Sequence, residues 1–424
     1  MTFRLGIWKL RHNQFPNRRS SGSRTEGHPV SVSHDSVLSS RPVGDDGEEF
    51  DITDLLNVLG QVADRRGSRG RVYGLVFILT ASLVAVLAGA KDFRSIADQV
   101  ADFPQSLLRK RGGAWCWFAR TFRAPSRHTI RRVLSDIDAA ALDLAVGSWL
   151  RERVRRDSDG LLRLAIDGKV LRGAWTDEND QFTLFSAMVH REGVTVAQVQ
   201  VPADTNEVTQ VKTLLEGVPA RDGERVVVTM DAAHTQRETA KHIVAERGFD
   251  YVMTCKGNQP TLLESVFNKV VPLVKTAPDH VVKERAHGRI NQWSAWVTDA
   301  DGIDFPYARQ TGCIRREVFA LDGQLVSKEY AWIITSSGSE HTRAVDLHDH
   351  VRDHWGIENM SHHVRDTTWR EDAHQAHTGS GPQVMAILRN LAAGLLRING
   401  HHAIKRTTES ICRDRTRALP LLAT

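Results

Sequence analysis

Leu162-Arg163-Leu164-Ala165-Ile166-Asp167-Gly168-Lys169 is a short apolar run that closes on a carboxylate. Val226-Val227-Val228-Thr229-Met230-Asp231-Ala232-Ala233-His234 repeats the design, with three valines leading to Asp231. Runs this short and this rich in branched residues read as buried strands, each delivering an aspartate at its end. Working outward, Thr183–His190 and Thr195–Val201 read as two more strands, with Gly193 at the turn between them. A helix through Val208, Val211, Leu214 and Leu215 stops at Gly217 and Pro219. Thr235–Arg247 reads as a helix capped by Thr235 and ended at Gly248, followed by a strand over Tyr251–Thr254.

Three strands, a helix, a strand, a helix and a strand is the order of a ribonuclease H-like sheet. The expected fold class is therefore α/β, with Asp167 and Asp231 side by side on the first and fourth strands. A third carboxylate, Glu358 in His354-Trp355-Gly356-Ile357-Glu358-Asn359, falls in a stretch that reads as a helix from about Thr342 to Arg365. Three such acids can converge on magnesium, a hard ion that takes oxygen ligands. Two ions roughly 4 Å apart can clamp the attacking and leaving oxygens of a phosphodiester displacement. Taken singly, each acid reads better as an ordinary exposed side chain, and only the set with its neighbours points to a joint site.

The residues around these acids are mostly cationic or amidic. Lys169 and Arg172 follow Asp167, and Lys256-Gly257-Asn258-Gln259 follows the last short strand. His354 and Arg365 are spaced to share one face of the helix with Glu358, as are His362 and Asp366. His354 and Arg365 are expected to contact phosphate, as are Lys169, Arg172, Lys256, Asn258 and Gln259. A competing transition-metal site of His354, Glu358 and His362 is disfavoured, because neither His-Glu-x-x-His nor Glu-x-x-His is present.

Residues 1–48 are rich in Arg, Ser, Gly and Pro and read as a disordered basic arm. Residues 49–152 read as a helical, helix-turn-helix-like domain. In it, Ser126 can cap a helix that buries Ile130, Val133, Leu134 and Ile137 and exposes Arg127, Arg131 and Arg132. Such a basic face suits a DNA groove or simply solvent. Residues 153–400 read as the catalytic domain, with a β-rich insertion over about 260–337. Its strands are expected at Val281–Glu284, Gln292–Val297, Cys313–Leu321 and Tyr330–Thr335. A final amphipathic helix carries Val384, Ile387, Leu388, Leu391, Leu395 and Leu396, and 401–424 reads as a basic tail.

With 56 Lys and Arg against 51 Asp and Glu, the chain carries +5, compatible with nucleic acid but weak support by itself. Four scattered cysteines argue against a disulfide framework or a thiolate zinc site and fit a reducing cytoplasm. The uncharged stretch Val72–Ala90 just reaches the length of a membrane span, but its small and polar residues favour a buried helix, and no membrane partner is expected. No apolar leader stands in the first thirty residues.

These residues resemble the H-repeat-associated (ISAs-type) DDE transposases of bacterial insertion sequences. The resemblance runs from about Phe50 to Leu422. It rests on Asp-Gly-Lys at 167–169, Met-Asp-Ala at 230–232, Lys-Gly-Asn-Gln at 256–259, His-Trp-Gly-Ile-Glu-Asn at 354–359, Arg-Asp-Thr-Thr-Trp-Arg-Glu-Asp at 365–372 and Leu-Arg-Asn-Leu-Ala at 388–392. It implies a catalytic triad of Asp167, Asp231 and Glu358, with Mg²⁺ or Mn²⁺, in two ions, as cofactor. It further implies terminal inverted repeats and target DNA as double-stranded partners, a homodimer in the active complex and a nucleoid-associated location. Related enzymes carry a Tyr seven residues before the glutamate, where this chain has Val351, and a basic residue seven after it, matched by Arg365.

Overall fold

In the computed structural model, residues 51–423 are described apart from 70, 156–159, 177–179, 287 and 376–377. The arm expected over 1–48 lies outside the described residues.

The helical region comprises α1 (Thr53–Gly60), α2 (Leu75–Leu87), α3 (Phe93–Ala101), α4 (Gln105–Arg111), a hairpin of β1 (Ala114–Cys116) and β2 (Thr121–Arg123), α5 (Arg127–Asp136) and α6 (Ala139–Arg153). The hairpin corrects the all-helical expectation. Its strands are three residues each, too short to leave a period in sequence. α2 is only 13 residues long and buried along its length except at Val76. Its polar residues cause no conflict, since the Thr80 and Ser82 hydroxyls donate to the carbonyls of Val76 and Ile78 at 2.8 and 2.7 Å. No helix among the described residues is long and apolar enough to cross a membrane. Asp92 and Ser95 form a reciprocal capping box that starts α3 after the Gly89 turn. Ser126 caps α5 by accepting from the Thr129 amide at 3.2 Å, as expected.

The sheet region continues with β3 (Leu161–Trp175), β4 (Gln181–Val189), β5 (Thr195–Val201), α7 (Glu207–Glu216), β6 (Arg225–Met230), α8 (Arg237–Lys241), β7 (Asp250–Cys255) and α9 (Pro260–Val274). It ends with β8 (His280–Ala286), β9 (Arg289–Asp299), β10 (Gln310–Ala320) and β11 (Leu325–Thr335). One nine-stranded mixed sheet results, in the order β5-β4-β3-β6-β7-β11-β10-β9-β8. β3, β6 and β7 run parallel, and the remaining pairings are antiparallel.

The β-rich segment forms its four strands, and because β11 pairs with β7 it carries the same sheet onward. It is also preceded by α9, which has Pro260 in its first turn and buries Leu262, Val266 and Val270, one side chain per turn. Thr235 caps no helix. Its hydroxyl donates to the Thr254 carbonyl at 2.7 Å, α8 starts two residues later, and the chain continues as a π-helical turn over His242–Glu246.

The C-terminal part comprises α10 (Ala344–His354), a π-helical turn over Ile357–His362, α11 (His363–Trp369), α12 (Gly381–Ile398), α13 (Ile404–Arg413) and α14 (Leu419–Leu422). The single helix expected up to Arg365 is thus broken around Gly356. The expected tail is two packed helices, with Ile404, Ile411, Leu421 and Leu422 buried. Every residue of α12 from Gly381 to Leu396 is buried, so this helix is the spine around which the rest packs.

The helical region meets the sheet at Asp143, where α6 crosses β5. Asp143 accepts from the Gln198 amide at 2.7 Å, and burial pushes its carboxyl up to about 7. Unfolded, the group loses its proton near 3.8. Between these values the folded state holds more protons, so the folded state loses stability as pH rises through that window. Asn keeps the acceptor oxygen and cannot ionise. Asp143→Asn should therefore be more stable than wild type at pH 8 by about 1–2 kcal/mol, given the side chain's partial solvent access. The gap should close near pH 4. Urea denaturation at the two pH values checks this, and equal gaps at both would remove Asp143 from the pH response.

Candidate active site

Asp167 and Asp231 owe their closeness to parallel pairing. β3 and β6 run in register up to Ile166 opposite Met230, and the next residue on each chain is the aspartate. Asp231 follows the end of β6, as expected, and its carboxylate turns back to accept from the Ala233 amide at 2.9 Å. Asp167, by contrast, lies inside a 15-residue strand that runs on to Trp175, paired with Ser186 of β4. Only its pairing with β6 stops there, because β6 has already ended.

Glu358 reaches the same place from the π-helical turn. His362 Nδ1 lies 3.0 Å from Glu358 Oε2 and 3.8 Å from Asp167 Oδ2. One donor atom from each of these three residues lies within 4.8 Å of the others. Asp231 is not part of that cluster, though its charge is felt at Asp167. Burial pushes Asp167 up to about 6; His362 opposes the shift, and Asp231 and Glu207 add to it. The hydrogen bond from His362 holds Glu358 below the usual carboxylate range. Two carboxylates and an imidazole fit a divalent cation, with a donor set softer than the all-oxygen one expected for magnesium. The His362 Nε2 is buried with no hydrogen-bond partner among the described residues, so only Nδ1 is committed to the carboxylates.

Two further residues escaped the sequence reading. Glu207, at the start of α7, lies against Gly168, where a Cβ would come within 1.7 Å of its Oε1. A side chain at 168 would push the Glu207 carboxylate aside, so glycine here lets that carboxylate lie against the Asp167 strand. The other Glu207 oxygen is 3.3 Å from Nε2 of buried His234, so the pair ties the start of α7 to the loop after Asp231.

Several expected phosphate contacts are engaged elsewhere. Arg365 is buried, 1% exposed, and its Nε lies 2.9 Å from Glu371 Oε2. His354 Nδ1 lies 3.0 Å from Thr229 Oγ1, and burial holds the ring down to about 4 despite the charge of Asp231, so it is neutral at pH 7. It is neither a cation for phosphate nor a partner of Glu358 and His362. Lys169 is buried, 2.7 Å from Asp366 and 3.4 Å from Asp372. Asn258 donates to the Ala232 carbonyl at 2.6 Å and Gln259 to Gln236 at 2.8 Å, which fastens the loop after β7 to the Asp231 loop. Lys256 and Arg172 remain exposed, Arg172 with Asp372 at 3.6 Å. Arg127, Arg131 and Arg132 are exposed on α5.

Comparison with known proteins identifies the family. The family described as "Transposase DDE domain" matches residues 159–395, and "DDE_Tnp_1-associated" matches 56–150. "Putative transposase YncI" of Escherichia coli O157:H7 is 28% identical over 82% of this chain and 88% of its own length. "H repeat-associated putative transposase YhhI" of E. coli K12 is 24% identical over 82% and 91%. A cryo-EM structure of the piggyBac transposase synaptic complex with hairpin DNA aligns at 9% identity and a TM-score of 0.38, over 88% of this chain and 81% of that one. A match across more than half its length, carrying both aspartates and the glutamate, makes this chain a member of the DDE transposase family, whose chemistry depends on divalent metal.

Proposed function

We propose that this transposase cuts DNA at the terminal inverted repeats of an insertion sequence and joins the freed ends to target DNA, using Mg²⁺ or Mn²⁺ held by Asp167, Glu358 and His362. A second ion would lie between Asp167 and Asp231. The observation that carries this reading is the convergence of Asp167 and Glu358, distant in sequence, on His362 Nδ1, at 3.8 and 3.0 Å. A divalent cation there supplies positive charge against the negative charge that builds on the transferring phosphate. Ionised Glu358 and Asp167 orient the centre, while exposed Lys256 and Arg172 meet flanking phosphates. In the first step a water oxygen bonds to phosphorus and the 3′ oxygen leaves as a hydroxyl. In the second, that hydroxyl attacks a target phosphate and a target 3′ oxygen leaves.

The antiparallel β5-β4-β3 unit followed by parallel β6 and β7 supports a ribonuclease H-like core. Residues 49–152 and α5 would hold the element ends, in a homodimer, at the nucleoid. The test uses labelled DNA carrying the element ends, an unlabelled circular target and Mg²⁺ or Mn²⁺. Joined product is expected; hydrolysis without joining would leave a plain nuclease.

His362 has its own test. His362→Ala should weaken Mn²⁺ binding by about 10-fold or more, read as free-ion signal in electron paramagnetic resonance without any DNA. Unchanged affinity in this variant, alongside weakened affinity in Glu358→Gln, would exclude the imidazole as a ligand.

A further inference from the structure

The β1–β2 hairpin carries the strongest unassigned feature of the molecule. Trp117 and Phe118 at its tip are 82% and 102% exposed, and Trp115 beside them is 43% exposed. Large aromatic side chains left this open in a cluster mark an interaction surface. The hairpin is nonetheless firmly held at its base. Trp115 lies opposite Phe122, their rings meeting edge-on at 5.0 Å. The Gln105 side chain accepts from the Phe122 amide at 2.7 Å and donates to its carbonyl at 3.1 Å. Tyr73 Oη donates to the Ala124 carbonyl at 2.9 Å. The stem thus presents two open rings, Phe118 at the tip and Trp117 edge-on to Trp115 at 6.2 Å.

The charge around the hairpin identifies the partner. From Phe103 to Ser135 the chain carries eight lysines and arginines and not one acid. Arg120 at the turn, Arg123 on β2 and Arg127 at the start of α5 are all exposed. An apolar tip alone would suit another protein or a second copy of the chain. An apolar tip set in a wholly basic stretch suits a polyanion whose interior is aromatic, namely DNA. Arginine meets the phosphates, and the rings take the place of a neighbouring base where the stack is opened.

We propose that the hairpin Ala114–Arg123 is a wedge that inserts Trp117 and Phe118 into the base stack of bound DNA. This rests on the transposase reading for the identity of the ligand, but it concerns a surface separate from the carboxylate site. Opening a stack costs free energy, so a wedge binds more tightly where the stack is already open.

The experiment compares full-length protein binding to two 30-base-pair duplexes, one fully paired and one with a central two-base mismatch. Wild type should prefer the mismatched duplex by about tenfold, as expected for base–aromatic stacking. The double variant Trp117→Ala/Phe118→Ala should bind both equally. Arg120→Gln/Arg123→Gln should weaken both in parallel and leave the preference standing, which separates the charge contribution from the wedge. Because the readout is a ratio on one preparation, a partly unfolded sample does not imitate the result. Equal binding of both duplexes by wild type would overturn the wedge while leaving DNA binding, and so the transposase reading, intact. A double variant that keeps the preference but turns from dimer to monomer in sedimentation would overturn it in favour of a protein interface.

Discussion

Asp167→Asn protein should bind DNA carrying the element ends as tightly as wild type and cut it about 1,000-fold more slowly, or worse. The side chains are nearly the same size, so β3 keeps its pairing to β4 through this position and the fold is not threatened. Asn lacks the negative charge that holds a cation beside Glu358 and His362. Stability supplies a second readout of opposite sign. Burial makes ionised Asp167 costly, and Asp231 and Glu207 add repulsion, so the neutral amide should leave the metal-free protein at least as stable as wild type. The rise in Tm on adding Mn²⁺, which follows from binding to the folded state alone, should shrink or vanish. A variant that cuts at the wild-type rate would take Asp167 out of the mechanism. One that loses cutting and also loses several degrees of Tm without metal would make its role structural.

The sheet was legible because its central strands are short, mostly apolar runs, and parallel pairing of β3 with β6 then brings Asp167 and Asp231 together. The site's third side was legible only as composition. A helical period of 3.6 residues places His354, Glu358, His362 and Arg365 on one stripe. The break at Gly356 and the π-helical turn over Ile357–His362 shift that stripe, so Glu358 and His362 meet Asp167 while His354 and Arg365 turn to other partners. Nothing local in sequence reports such a shift. The burial of Arg365 was hidden for a related reason. Arginine defaults to the surface, and its partners Glu371, Gln198 and Asn390 come from three different elements. The packed C-terminus did leave a trace. Ile404, Thr408 and Ile411 recur at i, i+4 and i+7 beneath a basic composition that reads as a tail. How the β-rich segment joins the sheet left none, because alternation shows that a strand forms and not which edge it joins.

Glu371→Gln should destabilise the protein by about 3–5 kcal/mol, the scale for breaking a buried ion pair. Glu371 sits between two buried guanidinium groups, 2.9 Å from Arg365 Nε and 2.9 Å from Arg389 Nη1. Burial alone would raise its pKa, but Arg365 and Arg389 outweigh it and hold the carboxyl below its ordinary value. Arg365 also reaches Gln198 on β5, while Arg389 donates to the Lys91 carbonyl beside α3. Nearby, Trp369 donates its indole N–H to the Val86 carbonyl in α2. The Arg-Asp-Thr-Thr-Trp-Arg-Glu-Asp motif is thus a clamp that joins the helical region, the sheet and α12. A neutral amide at 371 leaves two buried cations facing each other, which is why this substitution should cost more than loss of either arginine's outer contacts. If Arg365 served DNA instead, Arg365→Met would weaken DNA binding and leave Tm alone. The clamp gives the reverse, a large fall in Tm with DNA affinity unchanged in whatever fraction remains folded. Should the single variants fail to fold, Arg365→Met/Glu371→Leu/Arg389→Met removes all three charges together and should recover a folded chain, because no buried charge is left without a partner. A triple variant that folds, binds element ends like wild type and resists urea would place these residues in the architecture, whereas one that folds but no longer holds DNA would return Arg365 to the phosphate contacts.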